Sequence, residues 1–328
     1  MNVLNDSNSN DVDAKKYSGG KMPTYSYIKQ SDDIYPAKLR NYADMPNSLY
    51  VKGNLPDPNV KSVGIVGARS CSQYGKQTAM LFAEALAKAG VQIISGLALG
   101  IDSAAHTGCL NGGGKTFAVL GCGIDVIYPR SNKRLSDRMI STGGGILTEF
   151  EPDAPPFAYH FPVRNRIISA LSDAIIIIEA KRKSGSLITA SYALEQGVQI
   201  YAVPGRITDS LSAGANDLIA QGAIPAVSPN QILYDLGLLP KKIKKSSAGT
   251  SGKKTSKKEG QALSLENQSY SDDEKLLLKT LSQDPICIDD ICSLTGMSPS
   301  RLSQCLLTLE LDGMIYSPFP GSYVRSYC

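Results

Sequence analysis

Residues 157 to 166 read Phe157-Ala158-Tyr159-His160-Phe161-Pro162-Val163-Arg164-Asn165-Arg166, aromatics interleaved with two arginines just ahead of a strongly apolar run. Aromatic rings stack on unpaired bases for roughly 1 to 3 kcal/mol each and guanidinium groups hold phosphates. The chemistry on offer is capture of an unpaired nucleic-acid strand. The same composition also suits a proline-bounded loop whose rings pack under a sheet and whose arginines neutralise strand-end carboxylates such as Glu149. Arg164 and Arg166, two apart at a helix start, need not face the same way. A second group of segments joins glycine, hydroxyl and base: Gly67-Ala68-Arg69-Ser70, Ser95-Gly96, Lys181-Arg182-Lys183-Ser184-Gly185-Ser186 and Pro204-Gly205-Arg206. Glycine lets a backbone amide approach a phosphate, serine adds a short donor, and a following helix aims its positive dipole end at the anion. Any one of these turns could hold glycine simply because turns need it. Basic residues in three of them argue for an anion-binding rim.

The elements that must position these residues alternate along the chain. Short apolar runs VGIV (63–66), VQIIS (91–95), TFAVL (116–120), GILTE (145–149), DAIIIIEA (173–180) and VQIYAV (198–203) are separated by helix-like stretches such as YGKQTAMLFAEALAKAG and SGSLITASYALEQG. Runs apolar on both faces belong inside a sheet covered by helices on each side. The pattern predicts an α/β fold, a Rossmann-like, doubly wound and mostly parallel sheet with right-handed crossovers. In such sheets ligands sit outside the carboxyl ends of the strands, where the strand order reverses. The glycine and basic segments follow those strands directly.

Several other chemistries fail on spacing. Gly108 to Thr116 invites a nucleotide phosphate loop, but counting back from Gly114-Lys115 lands on Cys109 where the first glycine should be, and the loop leaves a helix for a strand rather than the reverse. There is no Gly-x-Gly-x-x-Gly and no Gly-x-Ser-x-Gly. The two histidines, His106 and His160, have no metal-ligand spacing, and His106 is expected mid-helix as a buried or boundary residue. Glu149 and Glu151 stand two apart at a strand end and are not read as a catalytic dyad. No cofactor and no metal are expected.

The 328 residues carry a net charge of +4, distributed unevenly: +2 over 1–239, +7 over 240–261 and −5 over 262–328. The middle segment, KKIKKSSAGTSGKKTSKKEG, is too polar to offset its ordering entropy and reads as a flexible Lys-rich linker, 239–262, whose lysines also suit non-specific phosphate attraction. It separates a domain at 31–238, preceded by a disordered tail at 1–30, from a smaller one at 263–328. No run reaches the roughly 18 to 20 apolar residues of a membrane span. Seven cysteines without a Cys-x-x-Cys pair read as reduced thiols of a soluble, cytoplasmic protein.

The segments GARSCSQYG, SGLALGIDSAAH, AVLGCGIDVIYPRSN, ILTEFEP, FPVRNRIISALSDAIIIIEA, SGSLITASYALEQG and AVPGRITDSLSAGANDLIAQGA resemble, in order and spacing, the bacterial DNA-processing protein A (DprA/Smf) family, over about residues 34 to 236. The resemblance implies a domain that binds single-stranded DNA, shields it and helps load the RecA recombinase in natural transformation or recombination, without catalytic turnover. By motif it implies phosphate contacts at Arg69, beside Gly67 and the Ser95-Gly96 turn, and at Lys133. Arg164, Asn165, Arg166, Ser184, Gly185 and Ser186 would complete the rim, with Phe161 as a stacking candidate. It also implies a homodimer through the end of the domain, at Asn216, Leu218, Ile219, Gly222 and Ala223. Two departures follow: the helical domain that some members carry ahead of the sheet is expected to be absent, and Leu99 stands where many members have a basic residue.

Residues 271 to 325 read as three helices and a hairpin, with a Ser271/Glu274 capping box and Pro299 at the first turn after Ser298. They resemble the winged-helix module that many members append. Its reading helix, SPSRLSQCLLTLE, offers Arg301 alone in a module of charge −5, which favours a protein-interaction or regulatory role over duplex binding. The rival reading of the whole chain is a nucleotide-hydrolysing enzyme of the lysine-decarboxylase-like group. That group carries Pro-Gly-Gly-x-Gly-Thr where this chain has Ser184-Gly185-Ser186, with Glu195 as the available acid.

Overall fold

The computed structural model describes residues 25–239, 270–282, 285–312, 314–319 and 321–325, in two compact units. The expected linker at 239–262 lies outside the described residues apart from Leu239, and so does most of the expected tail.

The first unit is built on a nine-stranded sheet. Its strands are β1 (Ser26–Lys29), β2 (Ser48–Gly53), β3 (Ser62–Val66), β4 (Gln92–Ser95), β5 (Thr116–Val119), β6 (Gly145–Thr148), β7 (Ala174–Ile177), β8 (Gln199–Ala202) and β9 (Ile224–Pro225). Their order is β1-β2-β6-β5-β4-β3-β7-β8-β9. From β6 through β9 every pairing is parallel, whereas β2 runs antiparallel to β6 and β1 antiparallel to β2. The chain therefore lays strands outward from β3 in one direction, returns, and continues from β7 in the other, so the strand order reverses between β3 and β7.

β1 corrects one expectation, because Ser26–Lys29 falls inside the segment assigned to a disordered tail. Its alternation buries Ile28 against the core, and its pairing with β2 satisfies its backbone.

Helices cover both faces. On one lie α1 (Gln73–Lys88), α2 (Ile101–Asn111) and α7 (Pro229–Asp235), packing Phe82, Leu86, Ile101 and Ile232 on Ile65, Ile93 and Ile176. On the other lie a 3-10 turn at Ala37–Asn41, α4 (His160–Leu171), α5 (Gly185–Glu195) and α6 (Ala213–Ala220), packing Leu39, Ile168 and Ala190 on Ile94, Ile175 and Ile177. The run DAIIIIEA sends alternate isoleucines into these two cores, which explains why it lacks polar alternation. α3 (Lys133–Ser141), not anticipated as a helix, closes a smaller core with Met139 near β5 and β6.

The second unit contains α8 (Asp272–Thr280), β10 (Ile286–Cys287), α9 (Ile288–Thr295), α10 (Pro299–Leu311), β11 (Ile315–Phe319) and β12 (Ser322–Arg325). Its sheet order is β10-β12-β11, with β11 and β12 forming the expected hairpin. Leu277, Ile291, Leu302, Leu306, Leu309 and Ile315 fill its core. The Ser271/Glu274 capping box starts α8, and Pro299 opens α10. Among the described residues no helix is long and apolar enough to cross a membrane.

Candidate nucleic-acid interface

A crevice of about 430 Å³ opens where the strand order reverses, beyond the carboxyl ends of β3 and β7. Gly67, Arg69 and Ser70 line it from the β3–α1 turn, Ala98 and Asp102 from the loop into α2, Ala158, Phe161, Arg164 and Asn165 from the start of α4, and Lys181, Lys183, Ser184, Gly185 and Ser186 from the β7–α5 turn.

The β3–α1 turn is held from below by Glu179, the residue ending the apolar run of β7. Its main-chain carbonyl accepts from the Ala68 amide at 2.7 Å, and its buried carboxylate accepts from the Ser72 amide at 2.8 Å and from the Ser72 hydroxyl. Ser72 in turn caps α1 by accepting from the Gly75 amide at 3.0 Å. The carboxylate sits at the positive end of the helix dipole. This anchor leaves Arg69 exposed, its guanidinium carbon 4.8 Å from the centre of the Phe161 ring. The contact is a cation–π stack that fixes Arg69 at the mouth of the crevice.

Arg164 does a different job. It is buried, with Nη1 donating to the Gly96 carbonyl at 2.8 Å and to the Val119 carbonyl, and Nε to Asn165 Oδ1 at 3.0 Å. Burial lowers its pKa to about 10, Asp102 opposing the fall and Arg69 adding to it, so it stays charged at neutral pH. Asp102, also buried, accepts from the Gly96 amide at 3.1 Å and the Ala98 amide at 3.4 Å. Its pKa is raised by burial, against the pull of Arg164 and those amides. Asn165 passes the connection on, donating to the Gly185 carbonyl at 3.2 Å, so α4 sets the position of the α5 N-terminus. There Ser184 caps α5, its hydroxyl accepting from the Ser186 amide and lying 2.8 Å from the Ser186 hydroxyl.

Of the residues expected in the site, Gly67, Arg69, Phe161, Arg164, Asn165, Ser184, Gly185 and Ser186 come together, and the others do not. Ser95 is buried, donating to the Ile65 carbonyl at 2.6 Å, and Gly96 lies behind Arg164. Arg166 turns to the opposite side, gripping Glu149 through both nitrogens at 2.5 and 2.7 Å and donating to the Asp44 carbonyl at 2.9 Å. For Arg166 the carboxylate-neutralising alternative therefore describes the geometry. Lys133 starts α3 outside the crevice lining, paired with Asp137 at 2.8 Å. Its neighbour Asn132 reaches the loop, donating to the Leu97 and Ala98 carbonyls at 2.9 and 3.3 Å.

The segment expected at a self-contact is partly committed to its own core. Asn216 clamps Gly205, donating to its carbonyl at 3.0 Å and accepting its amide at 3.1 Å, and Leu218, Ile219 and Ala223 pack on the main core while Gly222 is exposed.

Lys181 and Lys183 were visible as basic residues of the rim, yet only the fold places them in the same crevice lining as Arg69. Glu179 was the harder residue to foresee. Its signal was a lone carboxylate ending an otherwise apolar central strand.

Asp102 is the only carboxylate lining the crevice among the described residues, and amides hold it. Glu195, the acid that a nucleotide hydrolase would require, is the exposed last residue of α5, about 15 Å along the helix from Gly185. The arrangement suits anion capture: exposed cations, a helix N-terminus and an aromatic ring, with no nucleophile–base pair among the lining residues.

Residues 26–237 match the family model described as DNA recombination-mediator protein A, and residues 261–317 match the DprA winged helix domain. The chain is 38% identical over 316 residues to Protein Smf of Escherichia coli, covering 93% of this chain and 78% of that protein. It is 44% identical over 215 residues to the DNA processing protein DprA of Streptococcus pneumoniae, covering 66% and 74%. The X-ray structure of the Streptococcus pneumoniae DprA superposes with a TM-score of 0.61 at 42% identity, over 64% of this chain and 74% of that one. A Helicobacter pylori DNA processing protein A, whose structure is described in terms of its single-stranded DNA binding mode, superposes with a TM-score of 0.57 at 33% identity, over 65% and 95%.

Proposed function

The chain belongs to the DprA/Smf family of DNA recombination mediators, and from that premise we propose that its crevice holds single-stranded DNA, shielding the strand for delivery to the RecA recombinase in transformation or recombination. The observation that carries this reading is one crevice lined by Arg69, stacked on Phe161, together with Lys181, Lys183 and the α5 N-terminus. Cations and backbone amides gathered in one crevice neutralise a phosphate run, and a ring beside them accepts a base. The protein works by binding rather than turnover, in the cytoplasm, as a homodimer joined through residues 216–223. The Helicobacter pylori relative, whose structure is described by its single-stranded DNA binding mode, supports the assignment of ligand.

The experiment is a filter-binding titration of the full chain with oligo-dT and a matched duplex at two ionic strengths. Tighter binding to the single strand, with a salt slope that falls in Arg69→Ala, is the expected result. Equal affinity for the two, with the slope unchanged in the variant, refutes it.

A further inference from the structure

Beside the crevice two rings stand in solvent. Phe157 and Tyr159 are 47% and 65% exposed, and they stack on one another, ring centres 5.6 Å apart and planes 8° from parallel. Of the two uses open to this aromatic stretch, packing under the sheet is excluded for these rings by their exposure. They are nonetheless held in place. Both meet the edge of His160, at 5.4 and 4.5 Å, and His160 is itself buried and stacked on Phe150 at 3.8 Å. The His160 amide donates to the Phe157 carbonyl at 3.0 Å, closing the turn that presents the pair.

We propose that Phe157 and Tyr159 form a base-stacking shelf, a subsite that takes one or two unpaired bases of the strand whose phosphates lie in the crevice. This rests on the single-strand reading above and adds where the bases go. Continuity selects the occupant: Ala158, between the two rings, lines the crevice, as does Phe161 farther along the same segment. A strand leaving Arg69 and Phe161 along this segment meets the shelf next. Tyr128, 43% exposed and 5.7 Å from the Phe161 ring, stands by Phe161 as a further exposed ring. Flat rings fixed in solvent lose little freedom on binding, and every base offers them a face, so the shelf favours unpaired over paired strands without reading sequence.

The test compares wild type with Phe157→Ala/Tyr159→Ala, titrating the full chain with oligo-dT and with an abasic oligomer of equal length. The double variant is expected to bind oligo-dT about 5- to 150-fold more weakly per stacked base lost, with an unchanged salt slope, while the abasic oligomer binds both proteins alike. Tyr159→Phe retains wild-type affinity. Unchanged affinity for oligo-dT overturns the shelf and leaves the rings to another partner; an equal loss on the abasic oligomer overturns it too. If the double variant does not fold, Tyr159→Ser gives the same comparison at the more exposed ring. Failure of the crevice itself reads separately, as an unchanged salt slope in Arg69→Ala.

Discussion

The guanidinium group of Arg164 occupies the space into which a side chain on Gly96 would project. Donating to the Gly96 carbonyl, it ties the loop after β4 to the start of α4, and no residue but glycine permits that approach. Gly96→Ala must therefore push the guanidinium off its carbonyls or shift the loop. The expected cost is about 1 to 3 kcal/mol of stability, measured as a lower midpoint in urea at unchanged m-value.

Glu179→Ala removes the acceptor of both Ser72 bonds at the head of α1. Hydrogen bonds to an ionised group are worth about 1.5 to 3 kcal/mol each, so a loss of about 3 kcal/mol is expected, with Glu179→Gln recovering part of it. Because the same turn carries Arg69, oligonucleotide affinity falls with stability. A Glu179→Ala protein with wild-type melting and binding would show that the turn stands without this anchor.

The parallel sheet and its crevice were legible because their signals are local: apolar runs of strand length, glycine and basic residues directly after them, and a capping box or proline at helix starts. The division of labour between Arg164 and Arg166 was not. Two guanidinium groups separated by one residue differ by about 200° around a helix, and which faces the crevice depends on Glu149 and Gly96, distant in the chain. β1 and β2 were missed because their apolar runs are short, β1 burying Ile28 alone and β2 only Leu49, Tyr50 and Val51, and α3 because KRLSDRMIS has few apolar residues to announce a face.

His106 makes stability depend on pH. Its Nδ1 lies 2.6 Å from Thr116 Oγ1, and that hydroxyl donates to the Ile93 carbonyl at 2.9 Å, so Nδ1 carries the proton and Nε2, buried without a partner among the described residues, is bare. Burial, reinforced by Arg164, lowers the pKa to about 3. A histidine depressed on folding contributes stability that is complete above its unfolded pKa of about 6.5 and declines as pH falls from there towards the folded value. Between pH 6.5 and 4 the loss approaches about 1.4 kcal/mol per pH unit. His106→Gln should flatten that part of the profile in urea titrations. A slope equal to wild type would assign the acid sensitivity elsewhere.

Lysines inside and outside the crevice give the sharpest test of where the phosphates run. Lys183 lines the crevice with Arg69, whereas Lys133 is paired to Asp137 on α3 and lies outside the lining. Each single-strand phosphate neutralised contributes about 0.7 to the slope of log affinity against log salt. Arg69→Ala and Lys183→Ala are each expected to lower the slope by about that amount and to weaken binding equally for every sequence. Lys133→Ala should leave it unchanged, because its ammonium already has a counter-charge in Asp137 and stands outside the crevice lining. A drop in Lys133→Ala as large as in Lys183→Ala would extend the phosphate track past Asn132 onto α3. A drop in Lys133→Ala alone would move the track out of the crevice altogether.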